Sequence, residues 1–343
     1  MRFAPLALLL FALPIAAQTD SAPARGILIG TNDVGIGLGD VPRVTGVRLN
    51  FRDQALRRVV GLNATIWSPK NGADSLSQVS GIALGLPLTG AGDIEGLGLA
   101  IGGVSADNRL VGIAVGGLGV GAGGDVSGLA VGGLGVGAGG DVTGITMGGL
   151  GVGAGDDLLG ISVGGLGVGS GGDVRGITFG GLGVGAGGDV QGIAFGGLGV
   201  GGGGNAQGLL VGGLGAGVGG DFQGVGVGGV GVGVGGKAEG LFLGGVGVGT
   251  ASLRGIAVGG LGVGSSDAQG LLVAGGTIQV PSDGILQGIA ISPYTNVRGE
   301  MRGLSIGIVN IAGSLQGVQI GLLNWAGNNR GWARLLPIAN AHF

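Results

Sequence analysis

Six aspartates, Asp125, Asp141, Asp157, Asp173, Asp189 and Asp221, hold one position in a sixteen-residue repeat of this 343-residue chain, and Asn205 and Lys237 take the same position in two further copies. Carboxylates at a fixed pitch are what a column of cations would need. Calcium, however, wants six to eight oxygens, and each copy offers one side chain. Asp also forms turns by hydrogen-bonding nearby backbone, and this role is the favoured one. Other chemistry is sparse. His342 is the only histidine and there is no cysteine, so a histidine triad or a His/Cys metal set has no members. Asp93, Glu95, Glu239 and Glu300 lack the polar and aromatic company of a substrate cleft. The G-x-G strings precede no helix pattern and so are not nucleotide fingerprints. Arg52, Arg57 and Arg58 with Asp53 form the densest charge. That cluster would hold an anionic group or, as is favoured, form a solvated turn with local ion pairs. The sequence reads as non-enzymatic, with no catalytic residue and no cofactor.

The elements that would position these residues come from the repeat. Units open at Gly112, Gly128, Gly144, Gly160, Gly176, Gly192, Gly208 and Gly224, and a fixed period of this size marks a repeat architecture. In the copy GLAVGGLGVGAGGDVT (128–143), Leu129 and Val131 alternate, as do Leu134, Val136 and Ala138. Each run is a short strand with one apolar face. Gly132-Gly133 lies between them, so a turn or bulge there would let both apolar sets face one interior. Helix is excluded, because Gly costs about 1 kcal/mol per interior position relative to Ala and 96 residues are Gly. The fold class is all-β, built from Gly-rich repeats of 14–16 residues. A β-solenoid of stacked coils is favoured, and a closed ring or barrel of short hairpins is the alternative. Carboxylates stacked at about 4.8 Å repel by roughly 1 kcal/mol in water, which leans toward hairpins. Short strands and near-identical copies lean toward the solenoid.

Along the chain, residues 1–17 read as a secretory signal peptide: one Arg, a short apolar run, then Ala16-Ala17. Residues 26–110 are an irregular N-terminal version of the repeat or a cap, with 68–72 as a loop. Residues 111–270 are the regular array, whose period contracts to fifteen from Gly240. Residues 271–343 form C-terminal repeats or a cap, with two fourteen-residue units opening at Gly303 and Gly317. The third slot of the unit carries Thr146, Ser162, Thr178, Ser305 and Gln319 and is therefore expected to face outward. Leu210, Phe242 and Leu272 share that slot, so they are expected to form an apolar contact face. Charged residues are 10% of the chain and the formal net charge is −3, which offers nucleic acid no basic field.

Two resemblances follow from these residues. Gly137–Val142 distantly resembles the calcium-binding nonapeptide of β-rolls, although the period and the Gly-to-Asp spacing differ. The segments GLSIGIVN (303–310) and GVQIGLLN (317–324), with the ending LPIAN (336–340), resemble a bacterial surface-repeat family of leptospiral type with units G-x-x-I-G-x-x-N. That resemblance covers the last forty or so residues. It implies an exported surface protein of unassigned activity. Gly119, Gly135 and Gly151 stand where that family has Asn, so no Asn ladder is expected in the centre. The expectation is an exported, non-catalytic structural or interaction protein of the bacterial envelope or surface. Its localisation would be the outer membrane, cell surface or periplasm, with association to membrane or envelope and an unidentified protein partner. The alternatives are an outer-membrane-associated β-ring or barrel with an apolar channel, and a calcium-binding β-roll-like protein. Eighteen or so stacked units would make a rod about 85 Å long.

Overall fold

A computed structural model describes residues 26–67 and 76–343. The signal peptide expected over 1–17 and the loop expected over 68–72 lie outside the described residues. The described chain is a β-solenoid of about 17 turns, stacked as parallel coils. It divides into two compact units. The first ends at Gly117 and includes Gly121–Gly123, and the second comprises Leu118–Val120 and Gly124–Phe343.

In the first unit, Gly26–Thr31 and Val34–Gly39 form an antiparallel hairpin. Asn32 and Asp33 turn it with φ of 54° and 63°, the double positive φ that a two-residue hairpin loop requires. Parallel coils follow. Gly46 pairs with Gly61, Gly61 with Gly81, Gly81 with Gly96 and Gly96 with Gly112. These glycines have φ between 122° and 137°, and a Cβ on any of them would overlap the carbonyl oxygen of the glycine one coil earlier. Only glycine can occupy this column.

The second unit repeats the device from Gly144 to Gly317, with φ between 115° and 143°. The residue that opens each repeat in the sequence is thus one the backbone cannot replace. Each coil has a longer strand, such as Val142–Gly148, and a shorter one, such as Gly151–Ala154. Each pairs in parallel with its counterpart sixteen residues on: Val142 with Leu158, Val152 with Val168. A ring of hairpins would pair antiparallel instead, so that alternative falls. The period shortens at the corner that carries the aspartates. Val234 pairs with Thr250 but Lys237 with Ser252, one residue fewer. Val297 pairs with Ala312 but Glu300 with Ser314. The core columns are untouched by either loss. An antiparallel strand, Leu335–His342, covers the edge of Val309–Ala326 and ends the stack.

The interior is lined by columns running through Val142, Thr146 and Val152 and their equivalents, joined toward the end by a fourth through Val218, Val234, Val280, Val297 and Ala312. This corrects two expectations. The third slot faces inward: Thr146, Ser162, Thr178, Ser305 and Gln319 are buried, and Leu210, Phe242 and Leu272 are fully buried and form no contact face. Conversely, Leu129, Val131 and Leu134 do not share an interior with Val136; Leu134 is 51% exposed while Val136 is 3% exposed. Most polar third-slot groups tolerate burial by bonding within their coil or to the next one, while Gln319 donates to Trp325 O at 3.2 Å and leaves its Oε1 without a partner. Thr146 and Ser162 hydroxyls lie 2.7 Å apart, and the Ser305 hydroxyl donates to Asn310 Oδ1 at 2.6 Å. Volume is balanced coil by coil. At Gly226, where the slot has no side chain, Phe222 and Phe242 meet edge to face with centroids 5.1 Å apart, and a Cβ there would lie 2.8 Å from the Phe222 ring.

Candidate functional site

The aspartate column is a backbone clamp. Asp125 Oδ1 accepts the N–H of Asp141 at 2.9 Å, Asp141 Oδ1 that of Asp157 at 2.9 Å, and Asp157 Oδ1 that of Asp173 at 2.8 Å. The ladder continues through Asp173, Asp189 and Asp221, and Asn205 Oδ1 takes the N–H of Asp221 in the same way. A hydrogen bond to a charged acceptor contributes about 1.5–3 kcal/mol, more than the roughly 1 kcal/mol of repulsion between neighbouring carboxylates. That margin is why a stacked column forms where repulsion alone favours spacing the carboxylates apart. Among the described residues, no three His, Cys, Asp or Glu side chains gather closely enough to hold a metal ion. Beside the column runs a shallow polar groove of about 340 Å³, lined by Asp189, Asp221, Gln191, Gln207, Gln223 and Glu239 among others. Farther along, Arg302 donates two 2.9 Å hydrogen bonds to Glu300 and holds its carboxyl below the usual carboxylate range.

In the first unit, the charge around Asp53 resolves differently from the reading at 52–58. Asp53 turns inward onto Arg48, while Arg57 and Arg58 are exposed. Arg48 is fully buried with each of its three nitrogens paired: Nε donates to Val41 O at 2.8 Å, NH1 to Asp53 and to Asn63 Oδ1 at 2.8 Å, and NH2 to Asp40 Oδ1 at 2.9 Å. Asp40 Oδ1 also accepts the N–H groups of Gln54 and Ala55. With both Arg48 carboxylate partners and every guanidinium nitrogen bonded internally, this cluster is a polar core rather than an anion site. Its signal in the sequence was phase: Arg48 and Asn50 alternate with Leu49 and Phe51, which are exposed.

The feature that stands out is on the outside of the second unit. Thirteen coils align Leu129, Ile145, Ile161, Ile177, Ile193, Leu209, Val225, Leu241, Ile256, Leu271, Ile289, Leu304 and Val318 in one column. Two residues on, a second column runs from Val131 through Met147, Val163, Phe179 and Phe195 to Ile320 in the same registers. None of these twenty-six side chains is buried, and none is polar. The inward column between them holds Thr146, Ser162, Thr178, Ser305 and Gln319. Here the outer surface is more uniformly apolar than the interior. Phe179 and Phe195 stack with centroids 5.0 Å apart and planes at 6°, so even the aromatics lie in step with the coils. A third column, from Leu118 and Leu134 to Leu261, borders this flank at the next corner and is 44–63% exposed. The backbone beneath is hydrogen-bonded coil to coil, so the flank presents side chains without unpaired main-chain groups. Apolar patches on monomeric proteins rarely exceed a few hundred Å², and larger ones mark interaction sites. Comparison with protein-family models, with curated proteins and with solved structures finds no match to the chain.

Proposed function

We propose that the protein is an exported, non-catalytic interaction element of a bacterial envelope or surface that binds through the flat apolar flank of its second unit. The observation that carries this is the pair of outward columns, twenty-six positions without one polar residue. A surface kept apolar over thirteen coils is costly to expose to water, at about 25 cal/mol per Å², unless something covers it. Nothing in the chemistry of the polar flank competes with it, because the carboxylates there serve the backbone. Export rests on the leader-like residues 1–17. The surface assignment is further supported by the C-terminal units, whose buried Asn310 and Asn324 lie one coil apart as a G-x-x-I-G-x-x-N repeat would place them.

Fractionation of a bacterium producing the full chain tests the reading. The protein is expected in the envelope fraction with its leader removed. The double variant Ile161→Lys/Val163→Lys, exported at the same level, should shift mostly to the soluble fraction. Retention in the cytoplasm, or equal envelope retention of the double variant, would sink the proposal.

A further inference from the structure

Building on that reading, we infer that the apolar flank binds a second copy of this chain, packed face to face and antiparallel, and that the paired chains are the form the envelope retains. The extent of the face is the first argument. Thirteen coils at about 4.8 Å spacing make it about 58 Å long. Two columns separated by two residues of strand, with the bordering leucines, make it roughly 14 Å wide. That is roughly 800 Å², the area each partner contributes to a standard stable interface.

Chemistry is the second argument. The two columns carry no charge and no Trp or Tyr. A surface that lies on a bilayer usually carries basic residues or interfacial aromatics beside its apolar face, and the formal net charge of −3 gives no attraction to anionic lipid. An uncharged partner surface fits best.

Shape is the third argument. Side chains that recur at the coil spacing form ridges and grooves of one pitch, and a second stack of parallel coils has the same pitch. Facing sheets pack about 10 Å apart by interdigitating such side chains. In an antiparallel two-fold pair each column lies over itself reversed, so the seventh coil of thirteen faces its own copy. Val227 then meets Val227, and the large Phe179 and Phe195 fall opposite Val273 and Val258. Bulk is placed against small side chains, and the same patch serves both partners, as a closed isologous interface requires.

The purified full chain is expected to sediment at twice its monomer mass at micromolar concentration. Ile161→Lys/Val163→Lys should sediment as monomer with unchanged circular dichroism. Gln207→Lys/Gln223→Lys, with the same added charge on the polar flank, should remain dimeric. Because the chain has no cysteine, single thiols report without background. A short bismaleimide should link Val227→Cys into a covalent dimer and leave Val131→Cys, at the start of the second unit's columns, unlinked. These thiol variants read the interface even if the lysine pair does not fold. A wild-type monomer at tens of micromolar overturns the proposal, and so does cross-linking of both thiols, which would show a parallel pair. A monomer that floats with phosphatidylcholine vesicles and loses this with the lysine pair also overturns it, while leaving the apolar flank as a binding surface. A monomer that binds no vesicle, with unchanged envelope retention of the lysine pair, removes both readings.

Discussion

The central and C-terminal coils of the second unit stack by the same rule and fill their interiors by different ones. From Val136 to Val263 one inward column is valine, broken only by Ala216, each side chain resting on its like. In the last coils that column becomes Ile278, Thr295, Asn310 and Asn324. Asn310 Nδ2 donates to Asn324 Oδ1 at 2.8 Å, and Asn324 Nδ2 donates to Gly321 O and Leu336 O. Valine on valine is satisfied by any neighbour of the right size. An amide is satisfied only by a partner in register, so within this column it is the coils nearest the end whose alignment hydrogen bonds fix. The outer surface changes in step. The slot that holds Gly137, Gly153, Gly169 and Gly185 holds Gln279, Asn296, Ile311 and Trp325 toward the end. What both regions keep is the left-handed glycine column.

That constancy is the most consequential part of the comparison to break. Gly160→Ala and Gly303→Ala should each destabilise the protein by roughly 2–5 kcal/mol, from backbone strain and overlap with the preceding coil. Similar losses of denaturation midpoint at the two sites would show that one device holds both regions, and a mild effect at either would separate them. Asn324→Val is expected to cost about 1–3 kcal/mol by orphaning Asn310 and two carbonyls. Hydrogen exchange should then rise in the last two coils and stay unchanged around Val168. An effect spread evenly through the unit would mean that the amides do not localise stability. The smallest change is a gain. Gly169 has no positive φ, and no atom lies within 4 Å of the Cβ it lacks, so Gly169→Ala should stabilise by about 0.4–1 kcal/mol. The side chains already present at this slot in the last coils indicate that the backbone accepts them, and a melting temperature that falls would contradict it.

Much of this was legible in the sequence. The repeat frame, the strand pair per unit and the exclusion of helix follow from glycine spacing and alternation. The corner at Gly139-Gly140-Asp141 follows from its turn composition, although the Asp141 carboxylate accepts from Asp157 one coil on instead of from nearby backbone. What was misread was the side. Thr146, Ser162 and Thr178 placed the third slot outside by their polarity, and Leu210, Phe242 and Leu272 followed them there. The phase of Arg48 with Asn50 against Leu49 and Phe51 is the only sequence signal of its burial, and the reason for it is the convergence of Asp40, Asp53 and Asn63.

The sequence by itself determined the period and the strands, because these are local properties of backbone and alternation; that the repeat-opening glycines are irreplaceable, rather than Gly132-Gly133, was decided by the carbonyl one coil earlier. Which face of each strand turns inward was decided by the tertiary structure. Alternation divides a strand into two faces without ranking them, and hydrophobicity ranks them only when polar groups must reach water to be satisfied. In this stack Thr146 and Ser162, and Asn310 and Asn324, find their partners one coil away, so the interior can hold them while isoleucine, leucine and phenylalanine line the outside.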